Sequence, residues 1–371
     1  PKVYTDFDFL LRSERNLDAV DIVTDVGLHH VIAIKAYEAG LNVAVEKPLG
    51  VTVRACSLII EAARKAGKVL SVEENHRRDP VNRLVKAIID SGVLGYPRLM
   101  HVASFRGTRH SPHGTAWRQI KKRGGYLLDY GVHEADLFEY FLGEIDTIYA
   151  ETRLWEPVRY SGEKGQYDKT SSSWILAPYY AHRVREKIEM ADTISCTSED
   201  MSLALLRFKS GAIGYYGRSI AAPGQELDTD IIYCEKGSIQ LPGSRSGNSA
   251  HVTMFGKQKP IARESIFDLV PGFEIDDSTS AFFDGRRKIS FYDYNNDATD
   301  RKFVAMGLKD FADSIHQRRQ PEVTGQIGLN AVALIYAMLE SGYVHQPIEL
   351  SDVVSGKCHA YQDEVNQFAN I

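Results

Sequence analysis

Short apolar runs alternate with segments of helical spacing over the first 95 residues of the chain. Three runs rich in Val, Ile, Ala and Leu predict buried strands, at 19–24, 43–45 and 69–72. Apolar residues recur every three or four positions over 29–39 and 53–66, which predicts a helix after each of the first two strands. Thr52 is a suitable N-cap for the second helix, and Gly40 and Gly67 are suitable C-terminal stops. This order predicts a parallel sheet with right-handed crossovers.

The pattern changes after Gly95. Six short segments rich in β-branched and aromatic residues are separated by turns, near 98–105, 145–153, 201–208, 211–219, 229–233 and 237–241. Strands that follow strands predict an antiparallel sheet. Two helices are expected to cover it, at about 303–319 and 326–342. Residues 155–198 are polar and poorly periodic, so we expect an insertion at the rim of the active site. The chain is predicted to fold as a partial parallel, doubly wound domain over 1–96 and a larger α+β domain with a mostly antiparallel sheet over 97–371.

Composition and charge are those of a soluble globular protein, with 43% hydrophobic and 25% charged residues among 371. The formal net charge of −5 argues against nucleic acid or an anionic membrane surface as a partner. No apolar run reaches the roughly 18 residues of a membrane span. Four cysteines lie far apart without a CxxC pair, which favours free thiols in a reducing compartment over disulfides or a zinc site. We therefore expect a cytoplasmic protein.

The first candidate site is Glu46-Lys47-Pro48, directly after the second predicted strand. In an open α/β sheet, ligands bind at the carboxyl ends of the strands, so a carboxylate and an amine delivered there are well placed for chemistry. Pro48 fixes φ and lacks an N–H, so the chain must turn. A solvated strand end that proline terminates explains these residues equally well when they are considered alone.

The second candidate lies between Gly124 and Asp136. Asp129 and His133 are four residues apart in a segment with a helical apolar face, so we expect their side chains to lie side by side. A carboxylate beside a histidine fixes the imidazole tautomer and raises its basicity, which suits proton transfer near neutral pH. An ordinary helix N-terminus with an unremarkable histidine is the alternative. Together with Lys47, the pair could move a proton on or off an alcohol while hydride passes to a nicotinamide.

These motifs resemble those of the glucose–fructose oxidoreductase, inositol dehydrogenase and rhizopine-catabolism family (Gfo/Idh/MocA). Glu46-Lys47-Pro48 matches the family's E-K-P motif, and residues 124–136 match G-G-x-L-x-D-x-G-x-H-x-x-D. Weaker matches extend the resemblance over essentially the whole chain apart from 155–198. The resemblance implies a Rossmann domain followed by an α+β domain, with NAD or NADP bound in the first and a sugar, cyclitol or related polyol between the two. It also implies a homo-oligomer, a dimer or tetramer, formed through the outer face of the second-domain sheet.

The resemblance implies roles for individual residues as well. Lys47 would bind the reacting hydroxyl near the nicotinamide, His133 would act as general acid/base with Asp129 beside it, and the Lys47–Pro48 peptide would be cis. The expected cofactor contacts are Thr24, His29, Glu46, Lys47 and Pro48. The expected substrate contacts are Arg77, Arg106, Trp117, Asp129 and His133, with Arg106 and Trp117 taken from a stretch at 106–118 that is rich in donors and carries one indole.

Three features depart from the family pattern. No G-x-G-x-x-G turn is present, so either residues precede Pro1 or the chain does not bind a dinucleotide in the usual way. We favour the first and expect roughly 50–70 preceding residues by analogy with a complete βαβ unit. Asp25 follows Thr24 where the family usually has proline, and a carboxylate there would repel phosphate. Residues 73–76, Glu-Glu-Asn-His, are more acidic and polar than the stretch that usually precedes Arg77.

Three functions remain open from the sequence. The leading hypothesis is an NAD(P)-dependent dehydrogenase or reductase acting on a sugar or cyclitol hydroxyl or ketone. An NAD-dependent glycosidase or lyase that oxidises its sugar transiently is the second, and a non-catalytic sugar sensor on the same scaffold is the third. No metal is expected, because His110 and His113 lack the carboxylate or cysteine partners that a metal site would require.

Overall fold

Three parallel strands form the first sheet of the chain, whose computed structural model describes residues 2–111, 116–160 and 192–371. The strands are β1 (Ala19–Ile22), β2 (Asn42–Glu46) and β3 (Leu70–Glu73), in that order across the sheet. Pairing places Glu46 opposite Glu73, so the carboxyl ends of β2 and β3 lie side by side. The predicted parallel sheet is confirmed.

Four helices accompany this sheet: α1 (Phe7–Ser13), α2 (His29–Glu38), α3 (Val53–Ala66) and α4 (Pro80–Asp90). The Thr52 hydroxyl accepts a hydrogen bond from the Ala55 N–H and caps α3 as predicted, and Gly67 ends that helix with a φ of 62°. The Asp79 carboxylate caps α4 by accepting from the Val81 N–H. These local signals fix where the loops after β2 and β3 begin and end.

The remaining strands are β4 (Pro97–Phe105), β5 (Ile145–Arg153), β6 (Val158–Tyr160), β7 (Thr193–Ser195), β8 (Met201–Phe208), β9 (Ile213–Ser219), β10 (Leu227–Cys234), β11 (Gly237–Gln240), β12 (His251–Met254) and β13 (Ile348–Glu349). Eight of them form one sheet in the order β12-β11-β10-β4-β9-β8-β5-β13. All neighbours in it are antiparallel except β4 and β9, so the predicted, mostly antiparallel sheet is confirmed. β6 and β7 pair separately at the two ends of the predicted insertion, whose residues 161–191 lie outside the described chain.

The later helices are α5 (Gly125–Leu142), α6 (Asp277–Phe282), α7 (Asn296–Gln317), α8 (Gly325–Val344), α9 (Leu350–Val354) and α10 (Asp363–Phe368). α5 packs on the inner face of the large sheet, where Phe138 contacts Phe208 and Tyr216. α7 begins well before the predicted start near residue 303, because the Asn295 side chain accepts from the Ala298 N–H and caps it.

α8 joins the two sheet regions. Among the described residues it is the one helix long and apolar enough to cross a membrane, and 78% of its most apolar window is buried inside the protein. Its Tyr336 hydroxyl donates to the Val51 carbonyl at 2.5 Å, directly after the turn that carries Lys47. At the C-terminus, Gln362 accepts from the Val53 N–H at 3.0 Å. The β2–α3 loop is therefore held from the second half of the chain, although the assignment of 1–96 and 97–371 to separate domains stays a prediction.

Candidate active site

The turn after β2 is fixed by His29, the first residue of α2. The imidazole is buried, with Nδ1 3.0 Å from the Pro48 carbonyl oxygen and Nε2 3.2 Å from the Thr24 carbonyl oxygen. Burial lowers the pKa of His29, and the two carbonyls partly offset this effect. The Lys47–Pro48 peptide is cis, as the family resemblance implied. His29 thus connects the loop after β1 to the turn after β2, directly beside Lys47.

Lys47 reaches from this turn to Asp129 in the first turns of α5. Its Nζ donates to the Asp129 backbone carbonyl at 2.8 Å and to Oδ1 at 3.1 Å. Arg118 donates through Nε to the other carboxylate oxygen, Oδ2, at 2.6 Å. Burial alone would raise the pKa of Asp129, but Lys47 and Arg118 outweigh it and lower that pKa. Asp129 is therefore an anion shared by two cations, and it holds the lysine against α5.

His133 has a different carboxylate partner from the one predicted. Its Nδ1 lies 2.8 Å from both side-chain oxygens of Glu74, which follows β3. The His76 ring stacks on the His133 ring, with centroids 3.9 Å apart and planes 12° apart. The expectation that Asp129 sits beside His133 as its hydrogen-bond partner is wrong, because Lys47 and Arg118 occupy both oxygens of Asp129. The polar stretch at 73–76, which departs from the family pattern, supplies the partner instead.

Glu46 and Thr24, two of the expected cofactor contacts, lie around the same turn. Burial raises the pKa of Glu46 to about 7, with Lys47 opposing this rise and Glu74 adding to it. Thr24 is exposed after β1, and the carboxylate of the neighbouring Asp25 accepts from the Gly27 N–H and pairs with Arg123. The Asp25 charge, which was expected to repel phosphate, is thus compensated locally.

Not all of the expected substrate contacts lie at the junction of Lys47, Asp129 and His133. Arg77 is buried and makes a bidentate pair with Asp136, with its Nε 2.8 Å from Oδ2. Arg106 is half-exposed and pairs with Asp228 at 3.1 Å. Trp117 is nearer, since its ring lies 4.3 Å from the guanidinium carbon of Arg118, which binds Asp129. The structure therefore connects Trp117 to Asp129 and Lys47 through Arg118, whereas the guanidinium groups of Arg77 and Arg106 pair with Asp136 and Asp228.

One large cavity does not coincide with this chemistry. It has a volume of about 920 Å³ and is lined by residues of α4, the end of α5 and the start of β4, including Arg77, Tyr140 and Tyr96. Lys47, Asp129 and His133 are not part of its lining. We assign the candidate site to the Lys47 junction, because proton transfer needs titratable groups in hydrogen-bond contact, and the junction brings Lys47 to Asp129 and His133 to Glu74.

Two functional side chains were missed by sequence reasoning. Glu74 follows β3 as Lys47 follows β2, and the carboxyl ends of neighbouring parallel strands meet at one sheet edge, so its position was a usable signal. Arg118 lies in the donor-rich stretch at 106–118, but nothing in that stretch singles it out from the other arginines.

A lysine lies at a strand end of the parallel α/β region, and a helix of the later sheet region supplies a histidine. This combination is typical of oxidoreductases with a dinucleotide-binding fold. A family model described as "Oxidoreductase family, NAD-binding Rossmann fold" matches residues 1–74, and the model of the Gfo/Idh/MocA C-terminal domain matches residues 82–240. The chain belongs to the Gfo/Idh/MocA family, which confirms the resemblance.

Curated relatives include dehydrogenases of cyclitols and anhydrosugars. A scyllo-inositol 2-dehydrogenase (NAD(+)) of Bacillus subtilis is 27% identical over 260 residues, which cover 70% of this chain and 62% of that protein. A levoglucosan dehydrogenase of Pseudarthrobacter phenanthrenivorans is 32% identical over 152 residues, covering 39% of this chain and 38% of that protein. A myo-inositol 2-dehydrogenase of Thermotoga maritima is 23% identical over 354 residues, which cover 95% of this chain and 85% of that protein. The chain thus spans less than two thirds of the first two relatives.

Solved structures show the same fold. A levoglucosan dehydrogenase in complex with NADH and L-sorbose superposes with a TM-score of 0.70 at 20% identity, covering 94% of this chain and 84% of that one. An NAD binding oxidoreductase from Klebsiella pneumoniae gives a TM-score of 0.70 at 22% identity, with the same coverage.

Proposed function

We propose that the chain is part of an NAD-dependent oxidoreductase that transfers a hydride between the nicotinamide and a hydroxyl or ketone of a sugar or cyclitol. The observation that carries this proposal is the junction of Lys47 and His133. Each is hydrogen-bonded to a buried carboxylate, and the two carboxylates come from opposite sides of the junction: Asp129 from α5 and Glu74 from the loop after β3. The names of the relatives support dehydrogenation or reduction over the two alternative functions.

The residues present fit the nicotinamide end of such a cofactor. Val23 and Leu28 flank Thr24 after β1 and are 65% and 49% exposed, which leaves apolar surface uncovered at the strand end next to the Lys47 turn. Thr24, His29, Glu46, Lys47 and Pro48 would hold the cofactor there. When bound, the oxidised nicotinamide supplies the acceptor for a hydride. The Bacillus subtilis relative carries NAD(+) in its name and the levoglucosan dehydrogenase binds NADH, so NAD rather than NADP is the cofactor proposed.

The chain's own residues supply binding and proton transfer. The Lys47 ammonium donates to the substrate oxygen and favours its anionic form, and Asp129 keeps that ammonium in place. His133 accepts the hydroxyl proton in oxidation and returns it in reduction. Trp117 offers an apolar face for a sugar or cyclitol ring beside Arg118.

The test combines a substrate panel with substitution of Lys47. Inositols, anhydrosugars and sugars are assayed with NAD and with NADP, following absorbance at 340 nm. Lys47→Met is expected to lower kcat by about 10²- to 10³-fold, the usual effect of removing a donor to a developing oxyanion. Lys65→Met is the matched control, because Lys65 lies exposed on α3 in a pair with Glu61.

Three results would contradict the proposal. Unchanged turnover in Lys47→Met would remove the lysine from the chemistry. Release of an aglycone without net NADH would instead support transient sugar oxidation. Sugar binding by the full-length protein without turnover of any polyol would support the sensor.

We further propose that the outer face of the large sheet forms a contact between copies of the chain, as a dimer or tetramer. Tyr149, Leu205, Tyr215, His101 and Ile231 lie directly opposite one another in five neighbouring strands, which makes one continuous row. The helices cover the other face of these strands. Two neighbouring side chains of the row, Tyr149 and Leu205, are 40% and 55% exposed, and adjacent exposed apolar side chains are typical of a protein interface.

A cytoplasmic location is proposed on the state of the thiols. The cysteines are free in the structure, and three of them are buried: Cys56, Cys196 and Cys234. Free thiols are typical of reducing compartments.

A further inference from the structure

Glu74 is held rigidly between β3 and α4. Its side chain is 4% exposed, and its Oε1 accepts a hydrogen bond from the His76 backbone N–H at 2.8 Å. Both carboxylate oxygens lie 2.8 Å from His133 Nδ1. Burial alone would raise the pKa of Glu74, but the neighbouring His133 outweighs it and lowers that pKa, so the group is ionised at neutral pH.

This contact decides which nitrogen of His133 carries a proton. An ionised carboxylate only accepts hydrogen bonds, so the Nδ1 that faces it must be protonated. In the neutral ring the lone pair is then on Nε2, the nitrogen that Glu74 leaves free. Stacking on His76 adds a second restraint on the plane of the ring. Burial, followed by the charge of His133, holds the pKa of His76 well below its ordinary range, so His76 is a neutral platform.

A metal ion is the competing explanation for these side chains. Glu74, His76 and His133 are the one group among the described residues whose possible ligand atoms lie within 4.8 Å of one another. A zinc ion sits about 2.0–2.1 Å from a ring nitrogen, along a lone pair that lies in the ring plane. The two rings are nearly parallel and stacked, so an ion in the plane of one ring would lie well outside the plane of the other. The geometry favours a hydrogen-bonded carboxylate–imidazole pair.

We propose that Glu74 is the positioning residue of His133, which fixes the Nδ1–H tautomer and presents Nε2 as the base. The inference rests on the proposed function. In oxidation, the substrate O–H bond breaks and its proton goes to Nε2, while the C–H bond breaks and its electron pair leaves with the hydrogen as hydride to the oxidised nicotinamide. A C=O bond forms, and Glu74 neutralises the imidazolium that results. Reduction reverses each step.

Other charged groups surround the pair and remain in place when Glu74 is changed. They are Glu46 and Lys47 from the end of β2 and its turn, Arg77 from the loop after β3, Asp136 from α5, and Arg245 from the second half of the chain. Lys47 is balanced by Asp129, Arg77 by Asp136, and Arg245 by Asp300. Glu74 is therefore the carboxylate whose loss leaves the His133 imidazolium without a counter-charge.

The experiment replaces Glu74 by Gln, which has nearly the same shape and no charge. We expect kcat to fall by about 10- to 100-fold with KM little changed, since orientation of the base matters in the transition state. The acid limb of the kcat/KM profile should move to lower pH, because the imidazolium loses its counter-charge and releases its proton more readily. Glu74→Asp keeps the charge and should restore the acid limb towards its original pH. Glu61→Gln is the matched control, because Glu61 lies exposed on α3 in a pair with Lys65, and it should leave the profile unchanged.

A second readout does not depend on turnover. Long-range ¹⁵N–¹H NMR of the histidine rings reports the tautomer, and the His133 signal is identified by its loss in His133→Asn. We expect the Nδ1–H form in the unaltered chain. In Glu74→Gln that form should lose population, because an amide can either accept from Nδ1–H or donate to Nδ1.

The outcomes separate the two proposals. An unchanged tautomer and acid limb in Glu74→Gln would overturn the positioning role while leaving the proposed function intact. An Nδ1–H tautomer that depends on Glu74, in a full-length protein without polyol turnover, would support the pair and contradict the oxidoreductase. One equivalent of a bound divalent metal that Glu74→Gln abolishes would overturn the inference in favour of a metal site.

Discussion

Asp129 accepts hydrogen bonds from two cations at once, and this arrangement gives the site its local charge. Lys47 and Arg118 retain only 15% and 12% exposure of their side chains, and Asp129 retains 9%. Two largely buried cations share this one carboxylate, so positive charge remains on Lys47 where a substrate oxygen would approach it. Such a charge favours an alkoxide, which is the species that proton loss from an alcohol produces.

Replacement of Asp129 by Asn should cost stability as well as turnover. We expect the free energy of unfolding to fall by about 3 kcal/mol at pH 7, because removing one partner leaves buried cations uncompensated. The folded-state pKa of Asp129 is lowered, so the stabilisation is present at neutral pH and is lost as pH falls through that pKa. The difference from the unaltered chain should therefore shrink towards pH 3.

Urea-induced unfolding at several pH values measures this effect. Asp90→Asn is the control, because Asp90 is 57% exposed and pairs with Lys86 along α4. It should change the free energy by less than about 0.5 kcal/mol. Equal effects of the two substitutions, or a difference that does not shrink as pH falls below the ordinary pKa of an aspartate, would contradict the shared-anion arrangement.

Single residues of the site were predictable only where the signal is local. Lys47 and its cis proline follow from one short motif at a strand end. The partner of His133 does not, because a four-residue spacing shows that Asp129 and His133 share a side of a helix but not which groups other elements bring to that side. Glu74 is 59 residues away from His133 along the chain. The pairing of Arg77 with Asp136 could not be predicted for the same reason, since Asp136 comes from α5.

At the scale of elements, α5 begins in a way that only glycine permits. Gly124 and Gly125 have φ values of 95° and 75°, and a Cβ on Gly125 would clash with the Ser198 hydroxyl and lie 2.7 Å from Ser198 Cβ. The periodicity of the sequence predicts this helix. Its close contact with Ser198 could not be predicted, because that residue follows β7, far along the chain. The start of α5 fixes where Asp129 and His133 lie relative to the carboxyl ends of β2 and β3.

Gly125→Ala should therefore act through both backbone strain and the clash. We expect a loss of about 2–4 kcal/mol, of which about 1–2 is the cost of a left-handed alanine and the remainder is overpacking. Gly211→Ala is the control for strain alone, because Gly211 has a φ of 88° and open space around it. Thermal and urea unfolding measure both, and kcat should fall only for Gly125→Ala.

Removal of the clashing side chain provides the decisive comparison. In the double variant Gly125→Ala with Ser198→Gly, the overpacking part of the loss should be recovered, so that the two substitutions are not additive. Strict additivity would show that Ser198 does not constrain the start of α5.

At the scale of the whole molecule, elements of regular period were predictable and short ones were not. The sheet of eight strands was predicted from six segments, whereas β12 and β13 were missed because four and two residues are too few to show an alternation.

The side of the sheet that stays uncovered is determined by the helices. α5 and α8 pack on the inner face, and their apolar side chains are buried there. The row from Tyr149 to Ile231 is left on the outer face without cover from the described residues.

Leu205→Lys should therefore disrupt the proposed contact between copies. Leu205 lies near the middle of the outer face, 55% exposed, between Tyr149 on one strand and Tyr215 on the next. In a self-complementary interface each substitution occurs on both sides, so two lysines would face the same apolar patch and their burial would cost several kcal/mol. Light scattering coupled to size exclusion should show the unaltered chain at two or four times the monomer mass and Leu205→Lys at the monomer mass.

Val304→Lys is the matched control, because Val304 is equally exposed, at 54%, but lies on α7 away from this face. It should keep the oligomer, and the far-ultraviolet circular dichroism of both variants should match that of the unaltered chain. An oligomer that survives Leu205→Lys and dissociates with Val304→Lys would move the interface to the α7 side. A monomeric unaltered chain at all concentrations would mean that the apolar row serves another partner.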